Sequence, residues 1–277
     1  MTQGKKRPDS LPQGAALISL TGALVLGLVL SYFGYIWAAP SVDPAELAGA
    51  LVFWVGVVSI LLAFPLRSVF LDFVRSLKTA MGPVVFVGYL ASHLLLYGFL
   101  LDGIVTALQG PQLLGTSTPG LLVYTDTFVP PSLLSALLDL SYNPAIIFTY
   151  PPEFSAALSF YAIAMAVLIA TLVVANVART RELGKLCTTS KRARAYVLAP
   201  AVGIILGSSC CLSVAGVVSL FLLPAALADS LASNLAVYYF TYFVLPVFAA
   251  VVLYLNYVSV RKFSSALRAP AGGLPLQ

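Results

Sequence analysis

The stretch FSAALSFYAIAMAVLIATLVVANVA, from Phe154 to Ala178, runs 25 residues without a charged side chain and is closed by Arg179 and Arg181. A helix needs about 20 predominantly apolar residues to cross about 30 Å of hydrocarbon. This run is long enough, and the arginines behind it mark where the chain would re-enter water.

Five further runs read the same way: Ala15 to Ala39, Glu46 to Leu66, Met81 to Leu108, Ala195 to Leu223 and Leu231 to Val258. The expected fold is therefore an all-α, polytopic bundle of six transmembrane helices. The composition agrees. Of 277 residues, 60% are apolar and only 9% charged, against about 25% charged in a soluble domain. A soluble globule with so few charges would carry a continuous apolar surface, and a disordered chain would be far more polar. The runs also lack the alternation of a membrane barrel.

The basic residues fix the expected orientation. Lys5, Lys6 and Arg7 precede the first span. Arg67, Arg75 and Lys78 lie between the second and third. Arg179, Arg181, Lys185, Lys191, Arg192 and Arg194 lie between the fourth and fifth, and Arg261, Lys262 and Arg268 follow the sixth. With six crossings, all fifteen fall on one side, and the positive-inside rule puts both termini in the cytoplasm of a cell-membrane protein. Most acids, among them Asp43, Glu46, Asp126, Asp139, Glu153 and Asp229, fall at or outside the opposite face. The net charge of +5 is thus a topology signal with an attraction to anionic lipid, and no nucleic-acid partner is expected.

The chain reads as a single integral membrane domain, 1–277. Residues 1–14 and 259–277 form cytoplasmic tails, and 109–153 an extracytoplasmic loop that covers the helix ends or docks a partner. Within that loop, Pro131 to Leu140 reads as a short amphipathic helix with Leu133, Leu134, Leu137 and Leu138 on one face. Arg67 to Arg75 reads as a short helix at the inner interface or, more simply, as a connector that shields a loop.

Few groups point to chemistry. His93 is the only histidine, so haem with two histidine ligands and multi-histidine copper sites are excluded within the chain; a satisfied polar group in the bundle is the expected role. Asp102 lies nine residues later, about 13 Å along a helix axis, too far to pair with it. An ionisable group within a span is nevertheless a functional candidate. No Walker motif and no nucleophile–base constellation occur, and neither enzymatic activity nor a cofactor is expected.

The sharpest motif is Gly207-Ser208-Ser209-Cys210-Cys211-Leu212-Ser213 in the fifth span. Vicinal thiolates suit soft, low-coordinate ions such as mercury(II) or copper(I), whereas small residues also let helices approach closely. The run resembles the first transmembrane helix of the bacterial mercuric transport proteins, matched by Ser208, Ser209, Cys210, Cys211 and Leu212 over about 25 residues. That resemblance implies mercury(II) received by Cys210 and Cys211 in the outer half of the membrane. Ser213 and Val214 stand where the family commonly has Gly-Pro, and a lone Cys187 stands where larger members carry an inner cysteine pair. Two functions follow as expectations. One is a carrier of a soft metal or other small solute through Cys210, Cys211 and Cys187. The other is a non-catalytic subunit or assembly factor of a larger membrane complex.

Overall fold

In lipid every backbone polar group must be satisfied within the spanning segment, and the apolar runs accordingly form helices over most of their described residues. The computed structural model describes residues 13–37, 44–93, 120–125, 132–150, 154–186 and 240–268. In chain order these form α1 (Gln13–Trp37), α2 (Pro44–Ala63), α3 (Arg67–Leu77), α4 (Met81–Ala91), β1 (Gly120–Tyr124), α5 (Leu133–Tyr142), β2 (Ala145–Tyr150), β3 (Phe154–Ser159), α6 (Phe160–Leu186) and α7 (Leu245–Arg268). A π-helical turn, Phe240–Val244, leads into α7. Among the described residues three helices are long and apolar enough to cross a membrane: Pro44–Ala63, Phe160–Leu183 and Tyr242–Ser265. The chain is thus a helical, membrane-associated protein.

The centre of the bundle is α6, which packs against α2, α3, α4, α5 and α7. Its small residues Ala162, Ala166, Ala170 and Ala175 are fully buried beside Ile169 and Leu172. Alanines at these positions let neighbouring backbones come close, which is how helices gain contact area in lipid. The same device joins α1 to α2. A Cβ on Gly27 would lie 2.6 Å from Phe53 N, and one on Gly49 would lie 2.5 Å from Ser31 N. Only glycine permits that approach. The opposite side of the hairpin is exposed and apolar, with Ile18, Val25, Leu26, Leu51 and Val55 facing outward.

Directions follow from contacts at two levels. Tyr242, just before α7, meets Ser159, just before α6, whereas Tyr257, midway along α7, meets Asp72 of α3, which also meets Arg179 in the last third of α6. Helices α6 and α7 therefore run parallel, and α3 lies at the end that carries Arg179, Arg181, Arg261 and Lys262.

Several expectations are corrected. The fourth run does not begin as helix. Phe154–Ser159 is β3, and the helix starts at Phe160. Together β1, β2 and β3 make an antiparallel sheet in that order, with Gly120 opposite Thr149 and Ala145 opposite Ser159. This small sheet accompanies a fold that is otherwise helical, as expected.

The short helix after Pro131 exists as α5. Ser132 caps it by accepting from Ser135 N at 3.2 Å, while Ser135 Oγ accepts from Ser132 N at 3.0 Å; this is a reciprocal capping box. Its leucine face points the other way from a soluble helix's. Leu134, Leu137 and Leu138 are exposed, and Leu140 is buried, because the backbone carbonyls of Leu140 and Ser141 bond to side chains of the bundle.

At its C-terminus α7 continues ten residues past Val258, to Arg268. The later part of the third run, with Asp102, and the whole fifth run lie outside the described residues.

Candidate functional site

Helix α3 has an exposed apolar face and a buried one. Phe70, Leu71, Val74 and Leu77 are exposed, while Val69 and Asp72 are buried against the bundle. The spacing of the exposed residues is that of one helical stripe, as expected for a helix at an apolar interface. A carboxylate turned inward at such a place requires compensation. Arg179 of α6 supplies it: Nε donates to Asp72 Oδ2 and Nη2 to Oδ1, each at 2.7 Å. The remaining guanidinium nitrogen, Nη1, donates to Glu182 Oε2 at 2.7 Å. From α7, the Tyr257 hydroxyl donates to Asp72 Oδ2 at 2.5 Å and contacts Ser68 O at 3.1 Å. One carboxylate thus ties three helices together.

Beside this tie lies a cavity of about 600 Å³ between α3, α4 and α6. Valines 85, 174 and 177 form its apolar side, and Arg75 and Arg181 stand at its polar side. Arg75 lies 3.5 Å from Asp72 Oδ1, with its side chain 73% exposed. Arg181 is exposed and reaches Met81 of α4. No carboxylate pairs with Arg181 among the described residues.

Two other polar clusters tie α6 to α7. At mid-bundle, Asn176 is fully buried. Its Nδ2 donates to Leu172 O at 2.8 Å and to Leu253 O at 3.0 Å, and its Oδ1 accepts from Asn256 Nδ2 at 2.8 Å. Towards the sheet, Ser159 and Tyr242 share a hydrogen bond of 2.6 Å, and Tyr242 Oη donates to Ser141 O at 2.9 Å. Trp54 of α2 donates to Leu140 O at 2.9 Å. Around these bonds Tyr142, Tyr161, Tyr242 and Phe243 stack with ring centroids 4.8–5.5 Å apart. The tyrosine-rich start of the sixth run therefore packs helices together rather than lining a polar path, as far as it is described.

The residues singled out in the sequence are not gathered here. His93 is buried and shares a 2.9 Å hydrogen bond with Tyr89 through Nδ1. Asp102, Cys187, Cys210 and Cys211 lie outside the described residues. The soft-metal carrier expected from Cys210, Cys211 and Cys187 is corrected. Among the described residues no group of three or more His, Cys, Asp or Glu is placed to hold a metal ion. The physical reason is visible at Asp72 and Glu182, whose carboxylates are already bonded to one guanidinium. The residues that do build a site, Asp72, Arg179 and Tyr257, were passed over in the sequence. An amide side chain near the end of an apolar run was the available signal for Asn176 and Asn256, and an acid within the amphipathic Arg67–Arg75 segment was the signal for Asp72.

Comparisons with known protein families, with curated proteins and with solved structures find no match for this chain.

Proposed function

We propose that the chain is a non-catalytic subunit or assembly factor of a larger membrane complex, with six crossings and both termini cytoplasmic. One observation carries the functional part: three clusters of polar side chains among the described residues are used on one another, as ties between elements. Asp72 with Arg179 and Tyr257, Asn176 with Asn256, and Ser159 with Tyr242 each join two or three elements. Groups used this way position helices and leave little to carry a solute or a reaction.

The parallel course of α6 and α7 supports the topology. With six crossings the fourth and sixth runs pass in the same direction, as α6 and α7 do. The clustering of Arg75, Arg179 and Arg181 about one cavity agrees with a cytoplasmic face at that end.

The test has two arms. A reporter fused after Gln277 should be cytoplasmic, and one inserted within residues 109–153 external. Extracted from its own membranes in a mild detergent, the full chain should migrate with stoichiometric partner chains, and when reconstituted alone it should pass no solute. A monomer that produces flux in vesicles would overturn the subunit reading.

A further inference from the structure

The cavity between α3, α4 and α6 has a chemistry that the helix ties do not use. Its charges are Arg75, Arg179 and Arg181 against Asp72 and Glu182, a formal balance of +1. Arg179 is committed to both carboxylates. The surplus charge therefore sits on Arg75 and Arg181, both exposed. Behind them the wall is apolar, formed by Val85, Val174 and Val177. The same two helices carry exposed apolar side chains, Phe70, Leu71 and Val74 of α3 and Val84 and Val87 of α4, and the exposed Met81 lines the cavity itself.

We propose that this cavity binds the phosphodiester headgroup of an anionic phospholipid, with Arg75 and Arg181 on the phosphate and an acyl chain along the valine wall and α4. A phosphodiester carries one negative charge, which the +1 balance matches. Guanidinium forks suit phosphate oxygens, and basic pockets between helices on the cytoplasmic side are the usual place for such headgroups. A free phosphate ion would require donors on every side, and three valines are a poor substitute. The assignment to the inner leaflet rests on the orientation proposed above; binding itself does not.

The experiment uses the purified full chain in neutral detergent, with bound lipid counted by native mass spectrometry. The probes are phosphatidylglycerol, phosphatidylcholine and glycerol phosphate. Wild type should retain phosphatidylglycerol over phosphatidylcholine. Arg75→Ala/Arg181→Ala should bind phosphatidylglycerol about 30-fold more weakly, since each basic side chain near a lipid surface contributes about five-fold. Arg261→Ala, at an exposed basic residue outside the cavity, should bind as wild type does. Val85→Trp keeps the charge but fills the apolar wall, and should also lose the lipid. Equal retention by the double arginine variant, or displacement of the lipid by glycerol phosphate, would overturn the proposal. Intact binding together with a cytoplasmic reporter signal from residues 109–153 would overturn the orientation alone.

Discussion

The guanidinium of Arg179 lies across the carboxylate of Asp72 with two N–O distances of 2.7 Å, joining residues 107 positions apart. The Asp72 side chain is 8% exposed and that of Arg179 19%. A pair so placed has given up most of its hydration. The fork–fork geometry, with Tyr257 on the same oxygen as Arg179 Nε, offsets that loss. It also sets which turn of α3 faces α6, because a shift of one residue would turn Asp72 about 100° away.

Removing both partners should therefore cost less than the two single removals added together. Asp72→Ala leaves Arg179 with only Glu182, and should destabilise the protein by about 3 kcal/mol, the lower range for broken buried pairs. Asp72→Asn with Arg179→Gln should cost clearly less than the sum of the two single changes. Unfolding midpoints in detergent check this, and additive losses would show that the pair is not coupled.

The α1–α2 hairpin makes a sharper test, because it supplies its own control. At Gly49 any side chain meets the backbone of Ser31, whereas at Gly22 a Cβ meets nothing within 4 Å. Gly49→Leu should lose at least about 1–3 kcal/mol through overpacking that a backbone cannot relieve. Gly22→Leu should stay within about 0.5 kcal/mol of wild type. A denaturation series in SDS separates the two, and equal midpoints would mean that the hairpin does not pack through Gly49.

At mid-bundle, Asn176 makes three hydrogen bonds and Asn256 shares one of them. Asn176→Leu should cost about 1–2 kcal/mol, near the top of the range for polar contacts between membrane helices, and Asn256→Leu about 0.6 kcal/mol, near its mean. The order matters more than the values. If Asn256→Leu proved the costlier, the Leu253 carbonyl bond would not be the main tie.

Which parts of this structure were legible in the sequence follows from the physics of each. Long uncharged runs report on lipid directly, and α1 and α2 begin and end close to where hydropathy places them. The amphipathic pattern of Arg67–Arg75 likewise became α3. Composition fails where two structures share it. Phe154–Ser159 is apolar enough to open a helix, yet it pairs with β2, and a short apolar run behind Pro151-Pro152 does not distinguish the two by periodicity. Pattern also fails where the medium is ambiguous. Leu134, Leu137 and Leu138 form a face, but in a membrane protein an apolar face turns outward as readily as inward. The Asp72–Arg179 tie was illegible for a different reason: Asp72 lies in the Arg67–Arg75 segment and Arg179 behind the fourth run, both on the side of the basic residues, but only the packing of α3 on α6 brings them together.

Near the sheet, the hydrogen-bond directions are fully determined, and this makes Tyr242 the most exacting test. Ala162 N donates to Ser159 Oγ at 3.2 Å, which is the N-terminal cap of α6. Tyr242 gives its own proton to Ser141 O, so the Ser159 hydroxyl must donate to Tyr242. Proton donation then runs one way, from α6 through Ser159 and Tyr242 to the end of α5. Ser159 and Tyr242 are both fully buried, so water cannot replace a missing link. Tyr242→Phe should strand the Ser159 proton and the Ser141 carbonyl together, at a cost of about 2 kcal/mol. Ser159→Ala removes the cap but leaves the Tyr242–Ser141 bond intact, and should cost about 1 kcal/mol. In the double variant the Ser159 proton is no longer present to be stranded, so its loss should fall below the sum of the two by a measurable margin. Thermal unfolding of the four proteins closes the cycle. Strict additivity would mean that the cap and the tyrosine act independently, and that α5 is held to α6 by ring stacking alone.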